Sequence, residues 1–180
     1  CLPLIQRPER CESIAVSAKY MQDNKKKALV IGGSGIIGTP LVMRLNLQDE
    51  YIVHYTSLEK AKNPPFSAFV TEHIVDRNTP EYERLINDLN SKLDYKWDAV
   101  IDLIAFDASG AEQTYRLFKN HAQHIITMST TLVYDRTNKN VGPISESTPL
   151  AKAGELGGYV DGKLGLEKFW CNVTDVDWTL

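Results

Sequence analysis

Three glycines at a fixed spacing restrict the fold of this chain more than any other feature of its sequence. Gly32, Gly35 and Gly38 directly follow the apolar residues 28–31. This order predicts a buried strand, a tight turn and the N-terminus of a helix. In such a turn the first glycine permits the sharp bend and the second lets a pyrophosphate approach the backbone. The third lets the helix pack closely on the strand, and the free N–H groups of the helix favour phosphate.

The residues after the turn support this interpretation. Ile36 and Ile37 begin an apolar segment that extends to about residue 47, as expected for a helix packed on a sheet. The spacing is G-x-x-G-x-x-G and not the more general G-x-G-x-x-G. A glycine-rich turn without any ligand therefore stays open as the alternative at this point.

Length and composition indicate a globular protein with one main domain. The 180 residues are 43% hydrophobic, which is enough for a sizeable core. The net charge is −3 with both signs mixed, so no basic patch for nucleic acid or an anionic membrane is indicated. No apolar run approaches the ~20 residues needed to cross a bilayer. We expect neither a nucleic-acid partner nor a membrane partner.

Cysteine and histidine spacing predicts no metal site. Cys1, Cys11 and Cys171 are widely separated and form no C-x-x-C pair, and the four histidines are scattered. Unpaired cysteines are typical of a reducing compartment. We therefore predict a cytoplasmic protein with free thiols and no bound metal.

Strand-like and helix-like segments alternate from residue 28 onward. The predicted strands cover residues 28–31, 51–55, 68–75, 99–105, 124–128 and 176–180, with helices between them. Such alternation predicts an α/β protein with a doubly wound parallel sheet, the Rossmann fold, and helices on both faces. We assign residues 28–180 to this domain and residues 1–27, with their prolines and lysine run, to an N-terminal extension or linker.

Two groups of polar side chains follow strands on the side where such sheets bind ligands. Tyr159 and Lys163 are separated by four residues and share one face of a predicted helix. An ammonium near a phenol favours the ionised phenol, so Tyr159 could act as a general acid–base. Ser129 or Thr130, after the fifth strand, could hold the substrate oxygen. Each feature also has an ordinary structural interpretation, as a helix surface or a capping turn.

A third polar feature lies at the end of the third predicted strand. Asp76 and Arg77 are placed there to contact an adenine edge, although Asp76 could also simply cap a turn. The joint order of these features behind the glycine turn favours a functional interpretation.

Taken together, these motifs resemble the short-chain dehydrogenase/reductase superfamily, in particular its extended branch of NAD-dependent epimerases and dehydratases. The resemblance covers residues 28–180 and rests on six motifs in order: GGSGIIG (32–38), Asp76-Arg77, AVIDLIA (99–105), MSTTLVY (128–134), PISESTPL (143–150) and YVDGK (159–163). It implies that a nicotinamide cofactor carries a hydride while the protein positions it against a hydroxyl or carbonyl carbon.

The resemblance also implies roles for individual residues. Thr130 matches the catalytic Ser/Thr of the family, Tyr159 the catalytic tyrosine and Lys163 its lysine partner. The residues expected to contact the cofactor are Gly32, Gly35, Ile36, Ile37, Gly38, Thr56, Ser57, Asp76, Arg77, Leu103, Ile104, Ala105 and Lys163.

Several departures from the family pattern narrow the expectation. Thr131 and Leu132 stand where dehydratases of the family have an acidic pair, so dehydration is disfavoured. The second strand ends near Thr56 and Ser57, with lysines beyond and no aspartate or glutamate at its end, which favours NADP over NAD. Asp102 is unusual for the family and indicates an atypical subgroup. The chain ends where the substrate lobe of the family begins, so we expect that lobe to be largely missing.

These features lead to two functional hypotheses from different classes. The first is an NAD(P)-dependent oxidoreductase or epimerase acting on a sugar nucleotide or a similar hydroxyl or carbonyl substrate. The second is an atypical member that binds the cofactor as a regulator, scaffold or RNA-binding protein without turnover. The acidic charge balance disfavours RNA, and the Tyr159/Lys163 pair disfavours an inactive protein. The sequence could also be one module of a longer multifunctional chain, and the resemblance implies a homodimer.

Overall fold

The structure is a computed structural model that describes residues 25–60, 69–92, 96–135, 143–155 and 157–180. Its six strands are β1 (Lys26–Ile31), β2 (Tyr51–Ser57), β3 (Val70–Ile74), β4 (Ala99–Asp102), β5 (His124–Thr127) and β6 (Asp177–Thr179). Its four α-helices are α1 (Gly38–Leu47), α2 (Pro80–Lys92), α3 (Ala108–Phe118) and α4 (Gly158–Cys171). A short 3₁₀ helix covers Thr131–Val133.

All six strands are parallel and form one sheet in the order β3-β2-β1-β4-β5-β6. Leu29 of β1 pairs with His54 of β2 on one side and with Val100 of β4 on the other. The strand order therefore reverses at β1, and a crevice opens beyond the carboxyl ends of β1 and β4, where ligands bind in such sheets. The predicted doubly wound parallel sheet is confirmed.

Helices cover both faces of the sheet and bury two separate sets of side chains. On one face Val42 of α1 packs with Val30, Val53 and Tyr55. On the other face α2, α3 and α4 pack against the alternate residues of the same strands, with Ile86 and Trp170 fully buried. Because neighbouring residues of β1 point to opposite faces and both faces are covered, that strand has to be apolar at every position from residue 28 to 31.

Two strands end two or three residues away from the predicted position, and both differences affect the site. β2 continues to Ser57, so the two hydroxyl residues at its end belong to the strand. β4 ends at Asp102, not at residue 105, although residues 103–105 are apolar. The carboxylate of Asp102 accepts hydrogen bonds from the N–H groups of Ile104 and Ala105 and so turns the chain out of the sheet.

The remaining bounds agree with the prediction to within three residues, except that β1 begins with Lys26, inside the segment assigned to the extension. Residues 1–24, which hold most of that predicted extension together with Cys1 and Cys11, lie outside the described residues. Among the residues that the structure describes, no helix is both long and apolar enough to cross a membrane.

Candidate functional site

The glycine turn lies between β1 and α1, with its three glycines in three different environments. Gly32 has a φ of +85°, a conformation that favours glycine. A Cβ atom on Gly38 would lie 2.3 Å from the Gly32 carbonyl oxygen and 2.6 Å from the Gly33 Cα atom. A Cβ atom on Gly35 would meet only the Gly32 oxygen, at an ordinary 3.5 Å. Gly38 thus permits close helix packing, whereas Gly35 borders open space where a ligand can approach.

A cavity of about 430 Å³ opens in front of this turn. The ends of β1, β2 and β3 and the segment after β4 form its walls. Its lining residues are Gly32, Ser34, Gly35, Thr56, Ser57, Leu58, Glu59, Val75, Asp76, Arg77, Asn78, Ile104 and Phe106. The size falls within the range of small-molecule and cofactor sites. Seven of the predicted cofactor residues therefore meet in one cavity: Gly32, Gly35, Thr56, Ser57, Asp76, Arg77 and Ile104.

The hydroxyls of Thr56 and Ser57 both form hydrogen bonds within the protein. Both residues are buried. The Thr56 hydroxyl accepts a hydrogen bond from the Gly32 N–H at 3.2 Å, so it holds the glycine turn. The Ser57 hydroxyl donates to a Glu72 carboxylate oxygen at 2.9 Å. The role of these two hydroxyls at a 2′-phosphate stays a prediction.

Carboxylates also lie closer to this cavity than the sequence indicated. Glu59, two residues beyond the end of β2, lines the cavity, as does Asp76. The cationic side chain among the described lining residues belongs to Arg77, and Asp102 neutralises it. The premise that no carboxylate would repel a 2′-phosphate is therefore wrong. The choice between NAD and NADP itself stays a prediction.

Asp76 and Arg77 behave differently although they are neighbours. The exposed Asp76 carboxylate accepts a hydrogen bond from the Asn78 N–H at 2.9 Å and shapes the loop at the end of β3. The Arg77 guanidinium is buried and binds Asp102 and groups of α3. Contact between the Arg77 side chain and an adenine edge is therefore disfavoured by its burial, because its charged head is already engaged in the protein.

The residues after β4 form the wall between the two halves of the crevice. Ile104 covers the glycine turn, since a Cβ atom on Gly32 would lie 2.6 Å from its Cγ2 atom. Ala105 is buried, and Phe106 is 55% exposed. Leu103 packs with the core on the α1 face instead of lining the cavity. Among the three predicted residues 103–105, Ile104 is therefore the one that belongs to the described lining of this cavity.

Lys163 is buried at the ends of β4 and β5. Its ammonium donates to the carbonyl oxygens of Ala105 at 2.7 Å and Met128 at 2.6 Å. Burial lowers the pKa of Lys163, and the carboxylates of Asp102 and Asp107 oppose this lowering. An ammonium has three N–H groups, so two carbonyl partners leave one available for another acceptor.

Tyr159 lies one turn before Lys163 on α4, at the surface of the crevice. Its side chain is 51% exposed, and its ring centroid lies 6.4 Å from that of Phe106. The Lys163 ammonium lies 5.2 Å from the same Phe106 ring. Gly162 allows α4 to pack closely on the segment after β4, because a Cβ atom at residue 162 would lie 2.7 Å from the Phe106 carbonyl oxygen. Phe106 thus joins the cavity to the Tyr159/Lys163 pair.

Thr130 lies at the N-terminus of the 3₁₀ helix that follows β5. Its hydroxyl oxygen accepts from the Leu132 N–H at 3.3 Å, which leaves its proton available for donation. The neighbouring Ser129 hydroxyl donates to Glu167 of α4. Within the described part of the chain, no hydrogen bond joins Thr130, Tyr159 and Lys163 to one another. The structure places them around the ends of β5 and α4 without linking them directly.

Ile36 and Ile37 lie between the glycines and point outward. Ile36 is 97% exposed and Ile37 52% exposed. Their side chains are not among the described lining residues of the cavity. If these two residues contact a ligand, the contact has to come from their backbone N–H groups at the start of α1.

Three residues of the site were missed in the sequence. Glu59 lies two residues beyond the end of β2, whereas the carboxylate that binds a cofactor ribose is expected at the strand end itself. Phe106 follows an apolar run with the composition of a strand. Gly162 stands inside the YVDGK motif, and a glycine in a helix interior costs about 1 kcal/mol relative to alanine, which was a usable signal of close packing.

Solved structures with bound nicotinamide nucleotides have a fold similar to that of this chain. A UDP-glucuronic acid 4-epimerase from Bacillus cereus, in complex with UDP-glucuronic acid and NAD, superimposes with a TM-score of 0.60 at 19% identity, over 79% of this chain and 50% of that one. A short-chain dehydrogenase/reductase superfamily protein from Agrobacterium tumefaciens with bound NAD gives 0.64 at 17% identity, over 84% and 47%. This chain shares the fold of these proteins.

A short-chain dehydrogenase/reductase from Veillonella parvula in complex with NADP has the same fold, with a TM-score of 0.59 at 15% identity, over 86% of this chain and 67% of that one. The chain thus spans about half the length of the two NAD-bound structures above and two thirds of this one. No family model and no curated protein sequence matches the chain. At these levels of identity, the comparisons show the fold of this chain.

Proposed function

We propose that this chain is the cofactor-binding part of an NAD(P)-dependent epimerase or reductase. The observation that carries the proposal is the open position of Gly35, at a helix N-terminus in front of a 430 Å³ cavity. Backbone N–H groups at a helix start favour phosphate, and the missing side chain leaves room for it. The residues of the cavity therefore fit the adenosine and pyrophosphate part of a dinucleotide.

The bound nicotinamide would supply hydride transfer, and the chain would supply proton transfer. Tyr159 is the general acid–base, which removes the proton of a substrate hydroxyl or gives a proton to a carbonyl oxygen. Lys163, four residues later on the same helix, is its cationic partner. Thr130 donates its free hydroxyl proton to the substrate oxygen. The substrate is a sugar nucleotide or a similar hydroxyl or carbonyl compound, by analogy with the epimerase neighbour that contains UDP-glucuronic acid.

For the cofactor itself we favour NAD, although the sequence pointed to NADP. The carboxylates of Glu59 and Asp76 line the cavity, and the charge of Arg77 is neutralised inside the protein. An additional 2′-phosphate would bring further negative charge to this rim, and like charges at close range are unfavourable.

The first test is a fluorescence titration of the wild-type chain with NADH and NADPH, repeated with Gly35→Val. A valine side chain would fill the open space in front of the turn, so we expect at least tenfold weaker binding, equivalent to about 1.4 kcal/mol. Gly165→Ala is the control, because its Cβ would meet only Ala108 at 3.6 Å, outside the cavity. Failure of the folded wild-type chain to bind either nucleotide would refute the proposal.

The second test separates an enzyme from a cofactor-binding regulator or scaffold. That alternative is favoured by the lack of a direct hydrogen bond among Thr130, Tyr159 and Lys163 in the described residues. Tyr159→Phe removes the phenol alone, so NADH affinity should stay unchanged while product formation from a panel of UDP-sugars falls by about 10²–10⁴-fold. The turnover comparison uses the full-length protein; if that protein binds the nucleotide but converts none of the panel, the regulator hypothesis gains support.

A further inference from the structure

A buried ion pair joins the end of β3 to the end of β4. Arg77 Nη1 lies 3.0 Å from one carboxylate oxygen of Asp102 and 3.1 Å from the other, and the two side chains are 8% and 0% exposed. The other guanidinium N–H groups donate to three residues of α3: Gly110, Gln113 and Thr114. Burying two charges costs several kcal/mol per ion in lost hydration, and the attraction between the two charges often only offsets this cost. Stability alone is therefore a weak reason for this pair.

The same carboxylate fixes the backbone that follows β4. Asp102 Oδ1 accepts hydrogen bonds from the N–H groups of Ile104 at 3.0 Å and Ala105 at 2.9 Å. The Thr114 hydroxyl donates to the other oxygen, Oδ2. Arg77 and Thr114 thus hold the carboxylate from two sides, and the carboxylate holds residues 104 and 105. These contacts fix the peptide between Ile104 and Ala105, to which the Ala105 carbonyl is joined through a single Cα atom.

The Ala105 carbonyl oxygen is one of two acceptors for the Lys163 ammonium, at 2.7 Å. The other is the Met128 carbonyl oxygen, at the end of β5. A lysine side chain has four rotatable carbons and no fixed direction of its own, so its acceptors decide where its third N–H group points. The ion pair is therefore two hydrogen bonds away from the ammonium.

We infer that the Arg77–Asp102 ion pair positions Lys163, by fixing the Ala105 carbonyl that holds its ammonium. The inference rests on the proposed function only in so far as that function makes Lys163 the partner of Tyr159. Arg77 and Asp102 are positioning residues in this scheme and touch no reacting atom. The pair also links the nucleotide cavity, which Arg77 lines, to the acid–base group across the crevice.

The pKa of Lys163 also depends on Asp102. The charged groups that act on Lys163 are the carboxylates of Asp102 and Asp107, and both raise its pKa against the effect of burial. Loss of the Asp102 charge should therefore lower the pKa of Lys163 further. This charge effect is a second contribution of Asp102 to Lys163, beside the contact through the Ala105 carbonyl.

The test compares two neutral double variants, Arg77→Met/Asp102→Asn and Arg77→Met/Asp102→Ala. Neither leaves an unpaired buried charge. They differ in whether residue 102 can accept hydrogen bonds from the N–H groups of Ile104 and Ala105. The readout is the rate at which acetic anhydride acylates Lys163, measured by mass spectrometry of tryptic peptides across a pH range, with no need for turnover or bound nucleotide.

We expect Lys163 of the alanine variant to be acylated at least tenfold faster than that of the asparagine variant, because the ammonium loses its fixed carbonyl partner. Equal rates in two folded variants would overturn the inference. Asn90→Leu is the control, since it removes a buried side chain that bonds Trp97 Nε1 and the Leu117 carbonyl and makes no described hydrogen bond to Arg77, Asp102 or Lys163. This variant should lose stability and keep Lys163 protected.

If the alanine variant fails to fold, the asparagine variant is compared with the wild-type chain. Its acylation profile should move to lower pH, because the Asp102 charge is gone. An unchanged profile would overturn the inference in this case. Failure of the proposed function shows up separately, as absence of NADH binding by the wild-type chain.

Discussion

The second and third glycines of the turn, Gly35 and Gly38, should differ sharply when each is replaced by alanine. In Gly38→Ala the new methyl group would lie 2.3 Å from the Gly32 oxygen and 2.6 Å from the Gly33 Cα atom, whereas non-bonded carbon atoms prefer about 3.5–4.0 Å. Both obstacles are backbone atoms, so the clash cannot be relieved by rotating a side chain. The helix has to move away from the turn by about 1 Å.

Such overpacking costs typically about 1–3 kcal/mol. For a chain of this size each kcal/mol lowers the melting temperature by about 2–4 °C, so Gly38→Ala should melt about 2–12 °C below the wild-type chain. Gly35→Ala meets only the ordinary 3.5 Å contact and adopts no left-handed φ. It should melt at the wild-type temperature or up to about 4 °C higher, because alanine restricts the unfolded chain.

Thermal unfolding followed by circular dichroism measures both variants under one set of conditions. A Gly38→Ala variant that melts with the wild-type chain would refute the close approach of α1 to the turn. A Gly35→Ala variant that loses as much stability as Gly38→Ala would refute the open space at Gly35, and with it the room for a pyrophosphate. The two outcomes test different parts of the same turn.

Two further predictions concern charge. Glu59→Gln removes a carboxylate from the cavity rim, so the affinity for NADPH relative to NADH should rise. The expected rise is up to about fivefold, the range of an exposed ion interaction, and parallel fluorescence titrations measure it. An unchanged ratio would contradict the role given to Glu59. Burial, with His73 and Lys27 nearby, lowers the pKa of His54 from 6.5 to about 4. The folded chain therefore resists protonation that the unfolded chain accepts, and stability should fall as the pH drops from about 6.5 through 4, by at most about 3 kcal/mol. Urea unfolding of the wild-type chain and of His54→Leu across this pH range measures the effect, which should be smaller in the variant.

The local features of this fold could be predicted from the sequence, because each depends on neighbouring residues. The apolar run 28–31 with its glycines specifies a buried strand and a turn wherever it occurs. The i, i+4 spacing of Tyr159 and Lys163 similarly fixes their place on one helix face. Alternating segments then leave few topologies, which is why a doubly wound parallel sheet was predictable.

The features that could not be predicted depend on residues far apart in the chain. Residues 99–105 have the composition of one continuous strand, yet the strand stops at Asp102 because its carboxylate turns back to the next N–H groups. That carboxylate is held there by Arg77, 25 residues earlier. Ser57 is likewise diverted from a ligand by Glu72 on the neighbouring strand. Spacing along the sequence carries no information about such partners.

The burial of Lys163 favours an enzyme over a scaffold that only binds the nucleotide. A buried ammonium loses its hydration, and the lowered pKa of Lys163 reflects that cost. Lys163 is not among the described lining residues of the cavity, and its ammonium lies 5.2 Å from the Phe106 ring that borders it. A charge beside the exposed phenol of Tyr159 is useful when that phenol has to release and regain a proton. The Tyr159→Phe comparison addresses this distinction directly, because it leaves the cavity, the glycine turn and the buried ammonium intact and removes only the group that would exchange the proton.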